Sequence, residues 1–211
     1  MNLKLAAGLL AGGLLTAAPA FSSTVLIDFE GAGGGFGSIA DYYNGGLDIP
    51  VSGPASSGPN YGVHFGLDLA AIAGSESVAN APGPGNTVMA VAGNGGDYSM
   101  SMGMGFNGLS FMYSALADTS VTVSFHSGPS QIFNLLANAG SCDIAGPAFC
   151  AWTLASLDLG GRVATAIDFG ATSGVAGFDN LSVAAVPVPA AVWLMMSALG
   201  GLGVIRRKRA A

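Results

Sequence analysis

The chain is 211 residues long, 51% apolar by the widest count and 9% charged, against about a quarter charged in an ordinary soluble domain. Its 34 glycines follow no Gly-X-Y period, which excludes collagen, and its long apolar runs lie only at the two ends, which excludes a multi-span transporter. Five of the six basic residues (Lys4, Arg206, Arg207, Lys208 and Arg209) also sit at the ends, leaving Arg162 against twelve acids, a net of −11 over residues 21–185; such a field repels phosphate and excludes a nucleic-acid binder.

In chain order, residues 1–20 have the parts of a secretory signal peptide. Lys4 is the positive head, residues 5–15 form an unbroken apolar or glycine core, and Ala18 and Ala20 are the small residues before a cleavage predicted ahead of Phe21. Residues 21–185 contain no amphipathic stretch at helical spacing longer than about two turns. Short runs rich in Val, Ile, Phe, Thr and Tyr instead predict strands at 23–29, 60–67, 87–92, 98–104, 108–114, 120–126, 131–137, 151–157, 163–169 and 177–183. Residues 52–60 and 79–86 read as long loops. Val121, Val123 and Phe125 alternate with Thr122, Ser124 and His126, and Tyr61, Val63, Phe65 and Leu67 alternate around His64, the pattern of strands with one buried face. The predicted fold is an all-β sandwich of jelly-roll type over residues 21–185.

Cys142 and Cys150 are the chain's two cysteines. In an exported protein they are expected to form a disulfide that closes a short loop, and their spacing does not fit a redox pair. Asp28 and Glu30 fall on one face of the predicted first strand, and Asp179 and Asn180 on the last. Jelly-roll domains often set first and last strands side by side, so these oxygens can converge on a calcium ion; solvated strand-edge acids are the plainer alternative. Met100, Met102 and Met104 alternate along one strand and are expected to be a core row rather than a copper site. Gly103–Gly108 fits G-x-G-x-x-G but is followed by a strand, so no dinucleotide site is expected. The stretch 93–97 is one partial copy of a calcium-binding turn and needs stacked neighbours it lacks. Neither G-x-S-x-G nor H-E-x-x-H occurs, no nucleophile marks His64 or His126, and no catalytic residue is assigned. Tyr42, Tyr43, Tyr61, Tyr98 and Trp152 are available to stack on sugars without forming an ordered row.

Residues 186–211 run Val186-Pro187-Val188-Pro189-Ala190, then reach Ile205 without a charge, then Arg206-Arg207-Lys208-Arg209. The sixteen residues from Ala190 to Ile205 span about 24 Å as a helix, just under the ~30 Å hydrocarbon core. The basic cluster would stay cytoplasmic by the positive-inside rule. This tail resembles the PEP-CTERM sorting signals read by exosortases, and is close to the VPLPA-CTERM variant: Val186, Pro187, Pro189 and Ala190 match, and Val188 stands in place of Leu. The resemblance implies an inner-membrane anchor before processing, removal of the tail by an exosortase-type membrane peptidase, and delivery to the surface or extracellular matrix of a Gram-negative bacterium. A permanent single-span anchor is the alternative. The body phrases "VLIDFEG", "YGVHFG", "TVSF" and "GFDNLSV" are similar to those of other exported proteins carrying such tails. "FDNLSV" also resembles the last strand of jelly-roll carbohydrate-binding modules, some of which hold a structural calcium there. The resulting expectation is a non-enzymatic surface or matrix protein that binds exopolysaccharide weakly. A calcium-dependent adhesin acting by protein contacts and a matrix-remodelling hydrolase are the alternatives.

Overall fold

A computed structural model describes residues 23–33, 36–73, 78–83, 85–92, 95–139 and 149–186. The predicted signal peptide, Cys142, residues 93 and 94 of the 93–97 turn, and the tail from Pro187 onward lie outside the described residues. No helix among the described residues is long and apolar enough to cross a membrane. The described residues belong to one compact unit, Ser22–Val186.

The unit is all-β. Its strands are β1 (Thr24–Ile27), β2 (Phe36–Ser38), β3 (Ile49–Pro50), β4 (Val63–Phe65), β5 (Leu69–Ala73), β6 (Thr87–Val91), β7 (Ser99–Ala115), β8 (Thr119–Phe125), β9 (Gln131–Leu135), β10 (Thr153–Leu157), β11 (Ala164–Asp168) and β12 (Ala176–Ala185), with one 3-10 turn at Gly170–Thr172. They form an antiparallel array in the order β3-β2-β5-β6-β12-β7-β11-β8-β9, with β1 on β12 and with β4 and β10 on β7.

β7 organises this array. Its first half pairs with β4 and β11, and its second half with β12 and β10. The predicted separate strands at 98–104 and 108–114 are therefore one strand with a bend. Core-facing residues are Met100, Met102 and Phe106, and then Leu109, Phe111, Tyr113 and Ala115, so the buried parity switches from even to odd between Phe106 and Leu109, where pairing with β12 slips from Ala184↔Gly108 to Ala185↔Phe106. A bulge does this, because one extra residue turns the following side chains to the other face. Just ahead of it Gly105 has φ +75°, and a Cβ there would stand 2.6 Å from Val163 Cγ1 and 2.7 Å from the Ala164 carbonyl oxygen, so only glycine fits. Met104, next to this bend, is 56% exposed and leaves the expected core row.

The main core joins both halves of β7. Phe178 packs edge-on against Phe111 at 5.3 Å and Phe169 at 4.9 Å, while Phe29 meets Phe65 and Tyr43. On β8, Val121 and Val123 are fully buried, as their alternation predicts. Val63 and Phe65 are also buried, but Tyr61 and Leu67 are exposed because β4 is only three residues long. A second cluster of Val78, Val88 and Phe149, with Trp152 packed on it, covers the other face of β6.

Candidate functional site

β1 and β6 lie end to end along the same side of β12: Ile27 pairs with Leu181, and Met89 with Phe178. Between those pairings β12 carries a bulge, with a register shift from Asp179 to Ser182 and Asn180 in the left-handed region at φ +47°. Asparagine tolerates that conformation better than most residues. First and last strands are thus neighbours, and the charges of Asp28 and Glu30 act on Asp179 near their junction.

Asp179 is fully buried and accepts hydrogen bonds from Gly83 N at 2.9 Å and Asn180 N at 2.6 Å. Burial pushes its carboxyl up to about 6 despite those two bonds, and the neighbouring charges of Glu30 and Asp28 push the same way. Glu30 accepts from Thr87 N at 3.1 Å and Thr87 Oγ1 at 2.9 Å, which holds the start of β6. Asp28 accepts from Glu30 N at 3.2 Å. Asp28 and Glu30 do not share a strand face: β1 ends at Ile27, and Phe29, left-handed at φ +62°, turns the chain between them. The three acids lie near the junction, and their oxygens are aimed at different amides. No group of three His, Cys, Asp or Glu close enough to hold a metal ion occurs among the described residues. As the side chains stand, N–H groups occupy oxygens that a hard cation would need.

A second feature lies on the outward face of β10, β7, β12 and β1. Ser156 pairs with Ser110, Ser110 with Ser182, and Ser182 with Leu26, which sets three hydroxyls from three strands in one row. With Thr24, Gly108 and Ala184 they line a groove of about 310 Å³. The small side chains leave its floor open, and exposed Leu26 and Leu154 flank it. Hydroxyls both donate and accept, so the row can meet the hydroxyl array of a sugar while the leucines meet its C–H edges. Sequence reading missed these serines. Their signal was a small polar residue between two core residues, as in Leu109-Ser110-Phe111 and Leu181-Ser182-Val183.

The remaining predicted residues have structural surroundings. His64 Nδ1 lies 2.6 Å from Asp41 Oδ1, both side chains about half exposed, and that bond holds the Asp41 carboxyl below its ordinary range. Trp152 donates from Nε1 to the Ala79 carbonyl at 3.1 Å and packs on the second cluster, so it is no open sugar platform. Tyr43 is buried, and exposed Tyr61 stacks on it at 6.2 Å. Cys150 is not a free thiol, while its expected partner Cys142 lies outside the described residues. Comparison with protein-family models finds no match, and comparison with curated proteins finds none either.

Proposed function

We propose that the protein is an exported surface or matrix component, sorted through residues 186–211 by an exosortase-type peptidase, whose jelly-roll sandwich contacts exopolysaccharide weakly. The observation that carries this reading is where the compact unit stops. It spans Ser22–Val186, so it begins just past the predicted cleavage site and ends on the first residue of the VPVPA sequence. The adjacency of β1 and β12 and the shared core of both β7 halves support the jelly-roll form. The row of Ser110, Ser156 and Ser182 supports sugar contact. A Cys142–Cys150 disulfide would close the connection between β9 and β10.

The test has two arms. Intact mass of the protein taken from the producer's surface should lack Arg206–Arg209; a chain that keeps them is a plain anchor. The same material should bind the producer's exopolysaccharide saturably, and Ser110→Val with Ser182→Val should abolish that binding. The calcium-dependent adhesin is the second reading, favoured by the three carboxylates at the β1–β6–β12 junction. It requires Asp28, Glu30 and Asp179 to turn from their amides toward the ion, and predicts that chelator lowers the melting temperature.

A further inference from the structure

We propose that the groove over β10, β7, β12 and β1 takes an uncharged, ribbon-like glycan, a cellulose-like chain of equatorially linked pyranoses that crosses the strands, a choice of ligand that rests on the reading of the hydroxyl row as a sugar contact. Register fixes the row: Ser156 pairs with Ser110, Ser110 with Ser182, and Ser182 with Leu26. Two residues along each strand, Gly108 pairs with Ala184 and Ala184 with Thr24. Beside the hydroxyls there is thus a strip with almost no side chain above the backbone. A Cβ on Gly108 would meet only the Ala184 Cβ, at 3.1 Å. The groove therefore runs across the strands, walled by the serine row and floored by Gly108 and Ala184.

Pitch selects the shape of the chain. Neighbouring strands stand ~4.8 Å apart, so the row from β10 to β1 covers ~14 Å. A ring of an extended, equatorially linked chain advances by about one such spacing, so successive rings meet successive strands. An axially linked chain coils and leaves the row. Unlike Ser56 and Thr87, whose hydroxyls donate to Asp48 and Glu30, Ser110, Ser156 and Ser182 commit no hydroxyl to another described residue. Each keeps a donor and two acceptor positions for a sugar hydroxyl. Ser156 is exposed, and Leu26 and Leu154 beside the row are 58% and 61% exposed, so the face is open.

Charge selects the class of sugar. Every residue lining the groove is uncharged, and Arg162, the one base of the body, is engaged by Phe125 and Gln131. Asp28 and Asp158 directly follow β1 and β10, within a body whose net charge is −11. A polymer of uronic acids or sulfated sugars would enter against that field and find no counter-charge. An uncharged chain meets hydroxyls with hydroxyls and is indifferent to the field.

Titration calorimetry of the full chain, in a detergent without a sugar headgroup, tests this with three probes of equal length: cellohexaose, maltohexaose and the oligoglucuronate that shares the cellohexaose linkage. Cellohexaose should bind saturably, with the same affinity in low and high salt. The other two should bind at least roughly tenfold more weakly. Ser110→Val should weaken cellohexaose binding roughly tenfold by removing the central hydroxyl. Ala184→Leu keeps all three hydroxyls and should weaken it as much by filling the floor. Maltohexaose or oligoglucuronate binding as tightly as cellohexaose overturns the ligand class, and sugar contact at the row stands if Ser110→Val still weakens it. Undiminished cellohexaose binding by either variant overturns the placement in the groove. A chain that binds the producer's exopolysaccharide but none of the probes overturns the class alone. One that binds neither overturns the sugar contact as well, and leaves the face to a protein partner. If Ser110→Val fails to fold, Ser156→Val at the exposed position replaces it.

Discussion

Arg162 and Asp48 lie in different parts of the body and carry opposite charge, yet neither meets an opposite charge among the described residues. The Arg162 guanidinium sits 3.5 Å over the Phe125 ring and donates to the Leu159 and Pro129 carbonyls at 3.3 Å and to the Gln131 side chain. Asp48, 2% exposed, accepts from Gly33 N at 2.8 Å, Ser56 N at 2.6 Å and Ser56 Oγ at 2.8 Å. With one base for twelve acids in the body, ion pairs are in short supply, and neutral dipoles take their place. Each charge is then only as important as the depth at which its dipoles are buried.

Asp48→Ala gives the largest expected loss, about 3 kcal/mol, because three donors lose a charged acceptor in a buried site. Urea unfolding with an unchanged m-value measures it, and Asp48→Asn should cost clearly less. A loss under about 1 kcal/mol would break the link between burial and cost.

Next comes Asp179. Its folded carboxyl is raised from 3.8 to about 6, so the native state binds this proton more tightly than the unfolded chain. Its contribution is fullest below about pH 4 and is lost as pH rises to about 6, a swing on the order of 2–3 kcal/mol. Asp179→Asn should flatten that window in melts across pH, whatever its effect at a single pH. A difference between wild type and Asp179→Asn that favours the wild type increasingly as pH rises through that window would contradict the sign.

For Arg162→Met the expected loss is about 1–2 kcal/mol, from the ring contact and the carbonyl bonds. It should be nearly equal in low and high salt, since no counter-charge is screened.

The class of this fold was legible because alternation survives in single strands: Val121 and Val123 announce β8. Three strands were not. β2 and β3 are only three and two residues long, and β5 is Leu-Ala-Ala-Ile-Ala, too alanine-rich to show β-propensity. β7 was split because its alternation inverts at the bend, and a period-2 reading stops wherever an extra residue is inserted. The adjacency of β1 and β12 was expected. Where the oxygens of Asp28, Glu30 and Asp179 point depends on Phe29 and on Gly83, more than fifty residues apart in the chain, which no local pattern encodes.

The smallest effect belongs to His64 and Asp41, the one ion pair among the described residues. Both side chains are about half exposed, so water competes for each and salt screens the attraction; such pairs contribute about 0–1 kcal/mol. Hydrogen bonds from His64 and Asn44 depress the Asp41 carboxyl. Its contribution is therefore present above its unfolded pKa and lost as pH falls through the depressed value, opposite in direction to Asp179. His64→Gln should cost less than Arg162→Met near neutral pH, and that cost should shrink further at about 1 M salt. If His64→Gln cost more than Arg162→Met, or were as salt-independent, then an opposite charge would hold this body together better than its buried dipoles do. The contrast between Arg162 and Asp48 on one side and the exposed pair on the other would have to be reversed.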